Sequence, residues 1–375
     1  MKIVTFAPQE IGDTIMATPL YAALRRLYPQ ETLDVVSERN NHPVLEGINL
    51  FDHTAVFTDG LDLSGYDMAV MPVFSCADAV KECAKKAKCY IELSHLYPTE
   101  PQRWKKKVTA AYRHMLFEKH QVELNMELLR RIGYTGETPA LYCPRPSYAL
   151  FAEHKNKIGC CIYTAQTEFQ AKKNRSWPLG HWQTLIASLG KENVVVVGAA
   201  CDWSNMEQIV SLTGCSYQRT ASIQEFIGLC QQLNVLITTD HGAMHIAAVS
   251  GVPIISLHGT SSPVLLHPWV GREGKSISIT SSTSCSPCQR SYRLRLCEKG
   301  LTKQNCMEKI LPKHVLKALS MKDSLPVGTS MIMVGGTLMT TEEFCSKWII
   351  QLKHFINIIV SREIIRMMKV FNPNF

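Results

Sequence analysis

Asp13 is the first residue of the chain placed to do chemistry. It follows Gly12 in a polar turn that leaves an apolar run, and Thr14 beside it suits the start of a helix. A carboxylate at a helix N-terminus is favoured in its charged form, so Asp13 reads either as a general base or as a helix cap. A second group lies far along the chain. An apolar, β-branched run over 235–239 ends in Asp240, His241, Gly242, Ala243, Met244 and His245. Another over 254–257 ends in Gly259, Thr260, Ser261, Ser262 and Pro263. Small residues at a helix start let backbone N–H groups face an anion, most simply a phosphate. Arg175 stands in a third place, a loop containing Lys172, Lys173 and Asn174 just before Trp177 and Pro178. A bidentate guanidinium there suits a diphosphate. His245 has a plainer alternative: a buried histidine holding two strand ends together by hydrogen bonds.

Two more clusters carry candidate chemistry. Arg103, Lys105, Lys106, Lys107 and Arg113 form a basic run that reads as a solvated helix face or as a patch that binds phosphate. Cys285, Cys288, Cys297 and Cys306 follow a C-x2-C-x8-C-x8-C pattern. Four thiolates can hold zinc tetrahedrally, but the long gaps are not those of a zinc finger, and free thiols or a local disulfide are the competing readings. Nothing else in the chain suggests the redox work of an iron–sulfur cluster.

Positioning such groups needs a scaffold, and the length allows one. At 375 residues, 46% hydrophobic and 19% charged, the chain can build two domains with full cores. The formal charge of +8 suits anionic ligands. The Lys-rich, aromatic-interleaved signature of a nucleic-acid binder is missing. Fourteen cysteines without a secretory leader imply reduced thiols and a cytoplasmic protein. No run of about 18 apolar residues argues for a membrane span.

The patterning predicts strands over 2–6, 32–37 and 67–72, with a helix from Thr14 to about Leu27 and others over 76–88 and 120–132. Gly136, Pro139, Pro144 and Pro146 suggest an interdomain linker. A second domain then begins near Ile158, with strands over 159–163 and 193–198. Helices follow over 202–210 and 222–233, the latter behind a Ser222–Glu225 capping box, and a short one over 245–249. Strands alternating with helices, with polar turns after the strands, predict parallel sheets that bind ligands at their carboxyl ends. In the tail, 331–338 suggests a short strand and 344–370 a basic amphipathic helix. That helix either packs on the body of the protein or lies on a membrane surface.

The order Gly12, Asp13, Thr14, Thr18, Pro19; Arg175, Trp177, Pro178; Asp240, Gly242, Met244, His245, Ala247, Ala248, Gly251, Pro253; Gly259, Ser262, Pro263 resembles glycosyltransferase family nine. These are the bacterial ADP-heptose:lipopolysaccharide heptosyltransferases, and the resemblance covers roughly residues 1–320. It implies a GT-B architecture, two Rossmann-like domains facing across a cleft. On that basis 1–150 takes the acceptor, 151–320 the nucleotide sugar, and 321–375 is an extension. The reaction implied is an inverting transfer of heptose from ADP-heptose to the lipopolysaccharide inner core or a lipid A precursor, with no metal and no cofactor.

By the same resemblance Asp13 matches the proposed catalytic base. Arg175, Asp240, His241, Gly242, His245, Gly259, Thr260 and Ser261 fall at the donor site. Arg103, Lys105, Lys106 and Lys107 are then the acceptor-binding expectation. A lipid-anchored acceptor further implies work at the inner face of the inner membrane, with peripheral contact. Three departures stand out. Arg175 replaces the usual Lys, His241 a Thr or Ser, and Thr260 a frequent Pro. The alternatives are the same fold using another nucleotide sugar for a different surface glycan, or a non-catalytic nucleotide-sugar-binding relative.

Overall fold

The structure is a computed structural model that describes residues 1–38, 42–73, 78–92, 119–144, 151–162, 175–199, 203–283, 286–287 and 305–347. Among these, the strands form two sheets, of five and eight strands.

The first sheet contains β1 (Lys2–Ala7), β2 (Thr32–Ser37), β3 (His53–Val56), β4 (Met68–Val70) and β5 (Tyr90–Ile91), all parallel, in the order β3-β2-β1-β4-β5. Residues 3–7 of β1 are buried without alternation, as expected of a strand covered on both faces. Helix α1 (Ile11–Leu27) returns from β1, and short α2 (Asp78–Ala84) and longer α3 (Gln121–Arg131) complete this half among the described residues.

The helix starts differ from the pattern-based expectation. Helix α1 begins at Ile11 with Glu10 at the N-cap, so Asp13 lies inside the first turn and is not the cap. Thr14 does not cap it either: its hydroxyl donates to the Pro8 carbonyl at 3.0 Å, pinning the turn between β1 and α1. Helix α3 is capped by His120, whose ring accepts from the Val122 N–H, while Glu123 accepts from the His120 N–H at 2.9 Å.

The second sheet opens with β6 (Ile158–Cys161), then α4 (Leu179–Leu189), β7 (Val194–Ala199), α5 (Trp203–Thr213), β8 (Ser216–Thr220), α6 (Ile223–Gln232) and β9 (Val235–Thr239). It continues through α7 (Gly242–Ser250), β10 (Ile254–His258), α8 (Pro263–Leu266), β11 (Lys275–Thr280), α9 (Asn305–Glu308), α10 (Pro312–Met321), β12 (Thr329–Val334) and β13 (Thr337–Met339). The order is β13-β12-β11-β10-β9-β6-β7-β8. Every pairing is parallel except β12 with β13.

Here too the boundaries differ in places. Helix α7 starts at Gly242, not His245, which puts His241 at its N-cap. The Ser222 hydroxyl accepts from the Glu225 N–H, but Glu225 reaches the Ala221 N–H, one residue earlier than a capping box requires. The single strand expected over 331–338 is two, turned at Gly335 and Gly336, both at positive φ, a conformation that favours glycine. Of the helix expected over 344–370, residues 344–347 are described and belong to a helix that starts at residue 341, with Thr340 and Glu343 exchanging capping hydrogen bonds; residues 348–370 lie outside the described residues.

In both sheets the strand order reverses direction beside the first strand of the sheet: between β1 and β4, and between β6 and β9. Such a reversal leaves a crevice at the strands' carboxyl ends. The two halves meet there. Helix α1 packs on α7, and one buried apolar cluster contains Ile15 and Met16 of α1 with Met244, Ala247 and Ala248 of α7.

Candidate active site

The site is assembled from loops at these two reversals. Asp13 stands just beyond β1, and Asp240, His241 and Gly242 just beyond β9. The approach between α1 and α7 is close: a Cβ on Gly12 would come 2.8 Å from His245 Cδ2 and 3.5 Å from Gly242 Cα. Gly12 and Gly242 thus let the first turns of two helices face one another.

Asp13 is partly buried, and Gln121 Nε2 donates to its Oδ1 at 3.3 Å. Burial pushes its carboxyl up to about 6, a rise opposed by the Gln121 hydrogen bond and by Arg175 and reinforced by Glu10 and Asp240. A carboxylate held near neutrality is the form suited to take a proton.

Asp240, 2% exposed, shows the opposite balance. Burial pushes its carboxyl up, but Arg175, His258 and His245, with a hydrogen bond from Ser261, outweigh it and hold the group down at about 2. Arg175 Nη1 donates to the Asp240 carbonyl at 3.2 Å and lies 3.5 Å from Asp240 Oδ2. Beneath the loop, Ser256 bonds His258 Nε2 at 2.9 Å, and His258 Nδ1 lies 3.3 Å from the Ser261 hydroxyl. Since Ser261 donates to Asp240, a consistent proton assignment has His258 Nδ1–H donating to Ser261 and Ser256 donating to His258 Nε2. Burial pushes His241, His245 and His258 each down to about 4, so all three are neutral at pH 7.

Several buried polar atoms at these strand ends have no hydrogen-bond partner among the described residues: Arg175 Nε, Thr239 Oγ1, His245 Nδ1, Thr260 Oγ1, Ser262 Oγ and Asp240 Oδ2, the last keeping only its ion pair with Arg175. Leaving such atoms unmatched costs free energy unless a ligand or water satisfies them. Their clustering at these strand ends makes the crevice a candidate site for a polar ligand or for ordered water.

The residues expected at the donor site are therefore brought near one another, and Gly259 among them also meets a packing constraint. A Cβ on Gly259 would come 2.6 Å from Met307 Sδ and 3.2 Å from Cys306 Sγ, so this glycine is required by packing. Helix α8 is a single turn of four residues, and Ser261 faces inward to His258. Arg103, Lys105, Lys106 and Lys107 lie outside the described residues, as do Cys285, Cys288 and Cys297. Cys306 is partly buried beside Gly259, and among the described residues no three His, Cys, Asp or Glu side chains group as for a metal ion. No described helix is long and apolar enough to cross a membrane. A cavity of about 810 Å³ opens elsewhere between the halves, lined by Arg26, Leu141, Val249, His267 and Trp269, and none of the expected site residues lines it.

The family model for glycosyltransferase family 9 (heptosyltransferase) matches residues 103–296, just over half of the chain. The chain belongs to glycosyltransferase family 9. It is 26% identical over 316 residues to lipooligosaccharide heptosyltransferase 2 of Haemophilus influenzae, covering 72% of this chain and 86% of the relative. Among solved structures it superposes on a family 9 enzyme from Veillonella parvula with a TM-score of 0.61 at 17% identity, covering 85% of this chain and 96% of the other. The Escherichia coli ADP-heptose lps heptosyltransferase II gives 0.55 at 19% identity, covering 85% and 98%. The protein is thus a glycosyltransferase of GT-B fold, its two Rossmann-like sheets joined at the crevice that holds Asp13 and Asp240.

Residues that the family pattern did not bring forward complete the crevice. Gln121 and Asn125 of α3 are buried and reach toward α1 and the end of β4. His120 Nδ1 accepts from the Val122 N–H, so its Nε2–H donates to the His267 carbonyl across the interface, at 2.9 Å. The signal for Gln121 and Asn125 was present in the sequence: two amides at i, i+4 on the face of a helix otherwise buried through Val122, Leu128 and Leu129.

Proposed function

We propose that this family 9 enzyme transfers heptose from ADP-heptose to the lipopolysaccharide inner core or a lipid A precursor, with inversion, and that Asp13 is the general base. The observation that carries the reading is the pairing across one crevice of a carboxyl raised to about 6 with an Arg175–Asp240 pair held ionised. In the step proposed, the acceptor hydroxyl oxygen attacks the anomeric carbon and its proton passes to Asp13. The bond from that carbon to the diphosphate oxygen breaks, and its electron pair leaves on the diphosphate. Arg175 supplies positive charge to the departing group, so the transfer is proposed to run without a metal ion. Thr239, Thr260, Ser262 and His245 offer the unmatched polar atoms that a nucleotide sugar would satisfy. The names of relatives support the donor and acceptor assigned here. A lipid-linked acceptor would place the enzyme at the inner face of the membrane, in peripheral contact with it.

A second reading, the same transfer from another nucleotide sugar, is favoured by His241. Its ring lies 3.6 Å from Cys161 Sγ and 3.4 Å from the Thr238 hydroxyl, filling the gap between β6 and β9 at the N-terminus of α7. Calorimetric titration with ADP, UDP, GDP and ADP-heptose separates the two. Selective binding of ADP and ADP-heptose supports heptosyl transfer; preference for UDP or GDP replaces the donor; binding of none leaves a non-catalytic relative.

A further inference from the structure

Gln121 occupies the point where three segments of the first half converge. It is 2% exposed and is the first residue of α3, its position fixed by the His120–Glu123 capping box. Its Nε2 lies 3.3 Å from Asp13 Oδ1 and 3.4 Å from the Val73 carbonyl. Both neighbours only accept when Asp13 is ionised, so the amide can sit one way round: flipping it would set Oε1 against two acceptors. Val73 is itself held, its N–H donating to Asn125 Oδ1 at 2.8 Å, while Asn125 Nδ2 donates to the Met16 carbonyl at 3.3 Å. Gln121 and Asn125, one turn apart, therefore fasten α3 both to α1, which carries Asp13, and to the chain leaving β4. That places Gln121 in the crevice between β1 and β4, where the strand order reverses.

We propose that Gln121 is a positioning residue for Asp13, orienting its carboxylate toward the facing half and favouring its ionised form. The proposal rests on the reading of Asp13 as the base. A hydrogen bond donated to the charged form stabilises that form. It also fixes one carboxylate oxygen, leaving the other to meet the acceptor hydroxyl. Among the described residues, the charged and titratable groups around Asp13 are Glu10 at the N-cap of its own helix, and Arg175, Asp240 and His245 from the other half. Gln121 reaches Asp13 from a third direction, with a neutral donor whose state does not change with pH.

The test uses the full chain and the isosteric variants Gln121→Met and Gln121→Glu. With 13C-labelled aspartate, the carboxyl resonance lost in Asp13→Asn identifies Asp13, and its midpoint in the wild type is expected at about 6. In Gln121→Met the midpoint rises by about 1 pH unit, and in Gln121→Glu it rises further, because a second carboxylate faces the first. With ADP-heptose and a lipid A precursor, Gln121→Met lowers kcat about tenfold and leaves the donor KM within about twofold. A loosened fold alone would hydrate Asp13 and lower its midpoint toward the ordinary value of 3.8, opposite in sign to the expected rise. An unchanged midpoint in Gln121→Met, whatever its stability, overturns the positioning role while leaving the base reading intact. Transfer that survives Asp13→Asn removes the base reading, and with it the proposal.

Discussion

Gly12 of α1 lies so close to His245 of α7 that a Cβ on Gly12 would stand 2.8 Å from His245 Cδ2, whereas a Cβ on Gly242 would find nothing nearer than 3.9 Å. The two glycines face each other, yet they tolerate a methyl group very differently. Gly12→Ala must push the imidazole or spread the two halves, at about 1 to 3 kcal/mol. Gly242→Ala is expected to change stability by less than about 1 kcal/mol. Urea unfolding of both variants checks the contrast, and equal losses would count against the close approach.

Asp13→Asn separates activity from stability. On the proposed reading of Asp13 as the base, the variant's turnover falls by about 10²- to 10⁴-fold, measured at saturating donor. Stability moves the other way. The folded protein holds the Asp13 proton up to about 6, against an ordinary value of 3.8, so ionising it costs stability as pH rises through that window. The variant is then more stable than wild type by about 1 to 3 kcal/mol at pH 7, and the gain disappears below the ordinary value. Thermal unfolding at neutral and acid pH shows whether it does.

Arg175→Met exposes the reverse case. With its carboxyl held at about 2, Asp240 adds stability that is fully present above the ordinary value of 3.8 and is lost as pH falls through about 2. Removing the guanidinium strands a buried carboxylate and costs about 3 kcal/mol at pH 7. The loss shrinks in acid, as the carboxyl takes up a proton. If Arg175 binds the diphosphate as proposed, ADP affinity, read by calorimetry, falls about tenfold or more.

Gly259→Ala tests packing against ligand contact. The new methyl meets Met307 Sδ at 2.6 Å in a fully buried setting. A loss of about 1 to 3 kcal/mol is expected, and combining it with Met307→Ala should give less than the sum of the single losses, by at least about 0.5 kcal/mol. Strict additivity would return Gly259 to the ligand.

The fold was legible where burial writes itself as a run. The continuous apolar β7 and β9, broken by glycine and polar turns, announce strands of a parallel sheet, and the facing ligand loops follow from that topology. Helix starts were less so. Thr14 and His245 looked like first residues of helices, but α1 and α7 begin three residues earlier, at Ile11 and Gly242, capped without side-chain hydrogen bonds by Glu10 and His241. Least legible were contacts between distant segments. The amides at 121 and 125 could be seen to face inward, but no spacing says that their partners are Asp13, Val73 and Met16. The same holds for Ser256, His258 and Ser261, whose wiring to Asp240 depends on two strand ends lying side by side.

The antiparallel strand β13 has a consequence outside catalysis. A sheet grown by parallel strands ends in a row of unpaired backbone donors and acceptors, which can template the addition of a foreign chain. By doubling back after Gly335 and Gly336, the polypeptide lays Thr337–Met339 along Ile332–Val334 and covers that half of the β12 edge. Among the described residues, what the hairpin leaves at this edge is two short stretches, Thr337–Met339 and Thr329–Met331, offset from one another. The larger sheet thus ends on this side in a broken edge, a poorer template for strand addition than one long parallel strand.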